Sequence, residues 1–189
     1  KATFNNAAAR TIAGAISATS GTTELAVVNV TDSEVYIVTI SGAVDVTTVT
    51  IGTTAKAGNA KFSSTVAGAS TIVGGEDATE DSLMEITATH TGAIILTQAS
   101  LGDAGFKTSG STAITISGAL TVTSDGDGQV TAANTAGTTF AAIGVTAKKA
   151  LSVTVSSGAD ALFGAAVEAN TLTINGDAIV QAVDNESET

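Results

Sequence analysis

Apolar residues in this chain alternate with Thr, Ser and other small polar residues over short runs. Examples are ELAVVNV (24–30), EVYIVTI (34–40), VDVTTVTI (44–51), ITIS (114–117), LTVT (120–123) and TLTI (171–174). A period of two puts one set of side chains on a buried face and the other on an open one, which predicts β-strands. The runs are broken by Gly, Asn and Asp, as at Ser41-Gly42, Thr31-Asp32-Ser33 and Asn175-Gly176-Asp177. These residues turn the chain because they tolerate positive φ or bond their own backbone. β-Branched residues fill the periodic runs while Glu, Lys, Gln and Arg are scarce, so the predicted class is all-β.

The runs fall into phrases that resemble one another. The type phrase is ALFGAAVEANTLTINGDAIV (161–180), and all five Phe (Phe4, Phe62, Phe106, Phe140, Phe163) stand at the head of such a phrase. In four of them a Gly follows the apolar step (Gly14, Gly74, Gly118, Gly176). Self-similarity at a fixed period marks a stacked repeat whose units bury their apolar faces only against neighbours. The expected fold is a parallel β-solenoid spanning 1–189 as one domain, with about 20 residues per coil and roughly nine coils. A β-sandwich or jelly-roll filament subunit is the alternative, with residues 1–20 donating a strand to a neighbour. Residues 1–20 otherwise read as a first coil or, from the Ala run, as a short helical cap. The segment 112–123 reads as two strands joined by a Gly corner, 94–96 as a buried step, and 184–189 as a frayed tail.

Composition changes this picture in three ways. Pro, Cys and Trp are absent from the 189 residues, which suits uninterrupted ladders and rules out disulfides and thiolate metal sites. Net charge is −11 with only seven basic residues, scattered along the chain. That argues against nucleic acid, which needs clustered Lys and Arg, and against anionic membranes. Nowhere is there an apolar run long enough to span a bilayer as a helix. An acidic, soluble surface suits a secreted protein.

Candidate chemistry is thin. The acidic window Gly74–Ser82 carries Glu76, Asp77, Glu80 and Asp81 and predicts an exposed loop bulging from the stack. The turn Ser124–Gln129 carries Asp125 and Asp127 around Gly126. Hard oxygen ligands of this kind suit calcium, although neither loop meets a full calcium-loop pattern. No cofactor is required by any motif. His90 is the single His, so it builds no zinc site, and no G-x-S-x-G nucleophile turn occurs. It is expected on an exposed strand face, and no catalysis is expected. Thr-x-Thr/Ser pairs recur at Thr39/Ser41, Thr48/Thr50, Thr87/Thr89, Thr115/Ser117, Thr121/Thr123 and Thr171/Thr173. Stacked, they would form a hydroxyl array facing glycan or ice.

The phrases TLTINGDAIV, ITISGALTVT and VTISGAVDVTTVTIG resemble the repeats of bacterial surface β-solenoids: autotransporter passengers, large adhesins and surface-layer proteins. The resemblance is one of style. It implies an extracellular, cell-surface protein with a structural, self-assembling or adhesive role, and it carries over no functional residues. A solenoid needs caps, and neither end shows a clear capping helix, so homo-oligomers or polymers through the solenoid ends or by strand addition are expected.

Overall fold

The computed structural model describes residues 1–5, 8–17, 27–31, 36–98 and 101–180. Every regular element among them is a strand, and every pairing between named strands is parallel. The chain winds as a β-solenoid with three faces. The first face stacks β1 (Ala2–Asn5), β4 (Val27–Thr31), β6 (Val44–Ile51), β8 (Val66–Val73), β10 (Ile94–Thr97) and β13 (Leu120–Val122), with β3 (Ile16–Ser17) against the start of β6. The second stacks β2 (Arg10–Ile12), β5 (Val38–Ile40), β7 (Asn59–Phe62), β9 (Ser82–Ile86), β11 (Ala104–Gly110), β14 (Gln129–Asn134), β16 (Ala150–Val155) and β18 (Ala169–Ile174). The third stacks β12 (Ile114–Ile116), β15 (Thr138–Phe140), β17 (Asp160–Phe163) and β19 (Asp177–Val180). The sandwich alternative falls, since hairpins and Greek keys would pair strands antiparallel. The described strands of residues 1–20 pair within the chain: β1 with β4, β2 with β5 and β3 with β6, making the first coil. The tail 184–189 lies outside the described residues.

The coil is longer than the phrases suggest. One column on the first face runs through Ala2, Val28, Val49, Ser70, Ile94, Leu120, Ile143 and Val167. It climbs seven steps in 165 residues, about 24 per turn, so the stack makes about seven turns rather than nine. Corner segments such as 52–58 and 74–81, between the first and second faces, take up the extra residues. The Phe do not mark one position of the coil either. Phe4 lies on the first face, Phe62 and Phe106 on the second, Phe140 and Phe163 on the third. Phe62 stacks between Ile40 and Ile86, whereas Phe106 stands one column over, between Met84 and Val130. Only Phe140 and Phe163 share a column, with ring centroids 5.5 Å apart and planes 18° from parallel.

The second face is the spine, continuous from β2 to β18. The other two exchange importance along the stack. In the N-terminal half the third face is a narrow line through Ile16, Val44, Val66 and His90. From β12 onward it becomes a sheet of its own, while the first face thins to single bridges at Ile143 and Val167. Inward residues from all three faces form one core, with Ile40, Ile51, Phe62, Ile86, Phe106 and Phe163 fully buried.

The corner between the third and first faces explains one set of glycines. Gly118 follows β12 and precedes β13, the Gly corner expected for 112–123, and Gly92 holds the equivalent place one turn earlier. A Cβ on Gly118 would fall on the carbonyl oxygen of Gly92, and a Cβ on Gly92 on that of Gly68. The backbones here stack closer than any side chain permits. Gly92→Ala should therefore force the coils apart locally and cost roughly 1–3 kcal/mol, read as a lowered urea midpoint.

Candidate functional site

The two acidic windows sit in the same corner, between the first and second faces, two turns apart. The carboxylates of Asp77, Glu80, Asp81, Asp125 and Asp127 bind the chain's own donors. Asp77 accepts the Thr79 hydroxyl at 2.6 Å and the Thr79 N–H at 2.9 Å, and these two bonds hold its carboxyl below the usual range. Glu80 does not join the exposed loop expected for 74–82. It is buried, taking the Glu76 N–H at 3.1 Å and the Lys56 ammonium at 3.3 Å. Asp81 accepts the Asp103 N–H at 2.8 Å, tying this corner to the next. Asp125 accepts the Lys149 N–H at 2.9 Å from the coil below, and Asp127 the Ser124 N–H at 2.9 Å within its own turn. Among the described residues no three His, Asp or Glu come together in a way that would hold a metal ion. The geometry gives each of Glu80, Asp81, Asp125 and Asp127 a corner backbone N–H to satisfy, work that Ser, Asn or Thr does in many turns.

His90 departs from expectation. It is fully buried, not on an open strand face. The run 87–91 is a corner rather than a strand, and His90 is its single bridging residue, stacked between Val66 and Ile116 and pointing inward. Its Nε2 lies 2.7 Å from the Ser70 hydroxyl, and Ser70 is fully buried too. Nδ1 has no hydrogen-bond partner. Burial pushes the imidazole down to about 4, opposed only by the Gly92 backbone beside it. The neutral ring is the one that fits. Nothing in the alternating sequence marks this inward turn, which depends on the length of the corner before it.

The outer surface of the spine is ordered into columns. One runs Thr11, Thr39, Lys61, Glu85, Lys107, Thr131, Thr154 and Thr173, each in register with the next. Glu85 meets Lys61 at 2.8 Å and Lys107 at 3.6 Å, and it accepts the Ser109 hydroxyl at 2.6 Å. Partial burial raises the Glu85 carboxyl, but the Lys61 and Ser109 hydrogen bonds and the Lys107 charge outweigh it and hold the group below its usual value. Glu85→Gln leaves two Lys in one column and should cost about 1 kcal/mol at low salt, less at high salt, in paired denaturation curves. Below the ladder, Thr131, Thr154 and Thr173 stand beside Gln129, Ser152 and Thr171, giving two hydroxyl-rich columns over three coils. Of the Thr pairs expected in arrays, only Thr171/Thr173 belongs to this patch. Thr50 and Thr121 stand in a first-face column interrupted by Ile95.

The last described coil carries exposed apolar residues. Leu172, Ile174 and Val180 continue inward columns whose preceding members, Val153, Val155 and Phe163, are buried, yet they are themselves 44%, 47% and 49% exposed. Among the described residues β18 and β19 are sheet edges.

Fold and site together define a three-faced parallel β-solenoid. No family model, curated protein or solved structure matches the chain.

Proposed function

We propose that this is a structural, self-assembling protein of the cell surface, a component of a surface layer, filament or adhesin stalk. The observation that carries the reading is the apolar edge of the last described coil. Leu172, Ile174 and Val180 are exposed there, beside β18 and β19, each of which pairs with one neighbour among the described strands. Such an edge is a template for another strand. The acidic, Cys-free composition supports an extracellular setting. Calcium bridging at Glu76, Asp77, Glu80, Asp81, Asp125 and Asp127 belongs to the same proposal, in competition with the backbone donors that Asp77, Glu80, Asp81, Asp125 and Asp127 already serve. Electron microscopy of purified protein, with calcium and with chelator, tests the reading. Rods, filaments or sheets are expected. Monodisperse particles in both conditions would remove it, and assembly indifferent to chelator would remove calcium from it.

A second reading rests on the hydroxyl columns at Gln129/Thr131, Ser152/Thr154 and Thr171/Thr173. It makes the protein a binding module that presents this flat face to glycan or ice. Thermal hysteresis or glycan-array binding by a stable monomer, lost in Thr154→Leu, is its test.

A further inference from the structure

Gly105 stands where the fold does not ask for glycine. It lies inside β11 on the outward side of the spine, between Leu83 on β9 and Gln129 on β14. Its φ lies outside the left-handed region. A Cβ there would meet the tip of Leu83 at 3.2 Å and the Ser82 carbonyl oxygen at 3.5 Å, whereas Gly92 and Gly118 are pressed against backbone. Glycine weakens a strand interior, and it otherwise marks a bulge, a bend, or the close approach of a ligand or another backbone. β11 runs in unbroken register with both neighbours, which leaves no bulge. An approach from outside is what remains.

The missing side chain opens a notch of about 280 Å³ in the outer surface. Along β11 the notch runs from Asp103 to Lys107, about 13 Å of strand. Across the sheet it runs from Leu83 to Gln129, with Asp81 and Thr131 on opposite diagonals. Its polar groups keep capacity for a ligand. Asp103 takes the Gln129 amide on one carboxylate oxygen, and Asp81 takes the Asp103 N–H on one of its own. The Lys107 ammonium lies 3.6 Å from Glu85, close enough for charge attraction but beyond a hydrogen bond, while Lys61 holds the short contact at 2.8 Å. The second oxygen of each Asp and the Lys107 N–H groups therefore face the notch as acceptors and donors.

The charges decide what fits. An anion would meet Asp81 and Asp103, and a cation would meet Lys107. A neutral ligand with adjacent hydroxyls suits both, since one hydroxyl can donate to a carboxylate and accept from an ammonium at once. Leu83 and the bare backbone at Gly105 give the C–H face of such a ligand an apolar floor. On the next coil Ser152 and Thr154 continue the Gln129 and Thr131 columns, so hydroxyls recur one coil step on.

We infer that the Gly105 notch seats one pyranose ring of a neutral glycan, whose next residues lie along the columns at Ser152 and Thr154. This rests on the second reading above, of a module that binds glycan, and adds the seat and the charge of the ligand.

Neutral oligosaccharides of glucose, mannose, galactose and N-acetylglucosamine, titrated separately into isotope-labelled protein, test it by nuclear magnetic resonance. At least one should move the Gly105 and Gln129 amide signals saturably. Gly105→Ile fills the notch with a strand-favouring side chain. It should weaken that sugar roughly ten-fold or more while the urea midpoint holds or rises. Asp103→Asn adds no volume and removes a charge-assisted acceptor, and it should weaken the sugar roughly three- to ten-fold.

A lowered urea midpoint for Gly105→Ile would overturn the premise that the fold does not need this glycine. Unchanged affinity in both variants would overturn the seat. If Thr154→Leu then still abolished binding, the glycan reading would stand on the columns alone. Tighter saturation of the same amides by glucuronate or glucosamine would overturn the neutral ligand. No shift with any sugar removes the notch together with the glycan half of the second reading, and thermal hysteresis alone would then keep its ice half.

Discussion

Phe106→Ala should lower the stability of the fold by about 4 kcal/mol, since a fully buried Phe loses both its transfer energy and the packing around the space it leaves. The side chain is at the middle of the spine, between Met84 and Val130, with coils on both sides that hold the cavity open. Urea denaturation followed by circular dichroism would show the loss as a shift of the main transition. Phe163→Ala removes the same atoms and the ring stack with Phe140, yet only Val180 follows it in its column. Solenoid stability is close to a sum over neighbouring coils, so damage near an end is met by local opening. The expected signature is loss of hydrogen-exchange protection over 160–180 with a much smaller shift of the main transition. Equal shifts for the two variants would contradict the coil-by-coil account.

Acid should weaken the protein through His90. In the unfolded chain an imidazole takes its proton near pH 6.5, while in the fold His90 takes it only at about 4. Between those values the unfolded state binds more protons, so stability is intact above about pH 6.5 and falls as the pH drops toward 4, by about 3 kcal/mol at the lower limit. Glu85 and Asp77, both held below their usual values, add losses at still lower pH. The Ser70→Ala/His90→Leu double variant separates these effects, because it replaces the buried polar pair by aliphatic groups beside Val66 and Ile116. Its stability should change much less than wild type between pH 6.5 and 4.5. An equally steep decline would mean that His90 is not the group responsible.

The two variants also show what the sequence made legible. Strand periodicity was visible because an inward Val or Ile and an outward Thr differ in polarity at every second residue, as in β6 and β13. The Gly118 corner was visible because Gly breaks that alternation. Column membership was not visible. Phe62 and Phe106 open similar phrases but stand in neighbouring columns, since register is set by corner length and not by residue type. The same cause hid His90, whose inward direction follows from a three-residue corner after Ile86. The acidic loops were located correctly along the chain. Which of their carboxylates turn back to serve backbone N–H groups depends on the coil beneath, as Asp125 and Lys149 illustrate.

The corner at 74–81 is closed at its base by the Gly75 N–H bonded to the Glu80 carbonyl at 2.8 Å, while Glu76 to Thr79 stand outside. The corners at 52–58 and 123–128 in the same position have seven and six residues, so the rungs on either side do not depend on what the loop contains. A peptide spliced between Ala78 and Thr79 would hang from the side of the rod without altering the pitch of the coils. In a filament built of many copies, such grafts would recur at one fixed interval along one edge, which makes this corner a natural position for regularly spaced display.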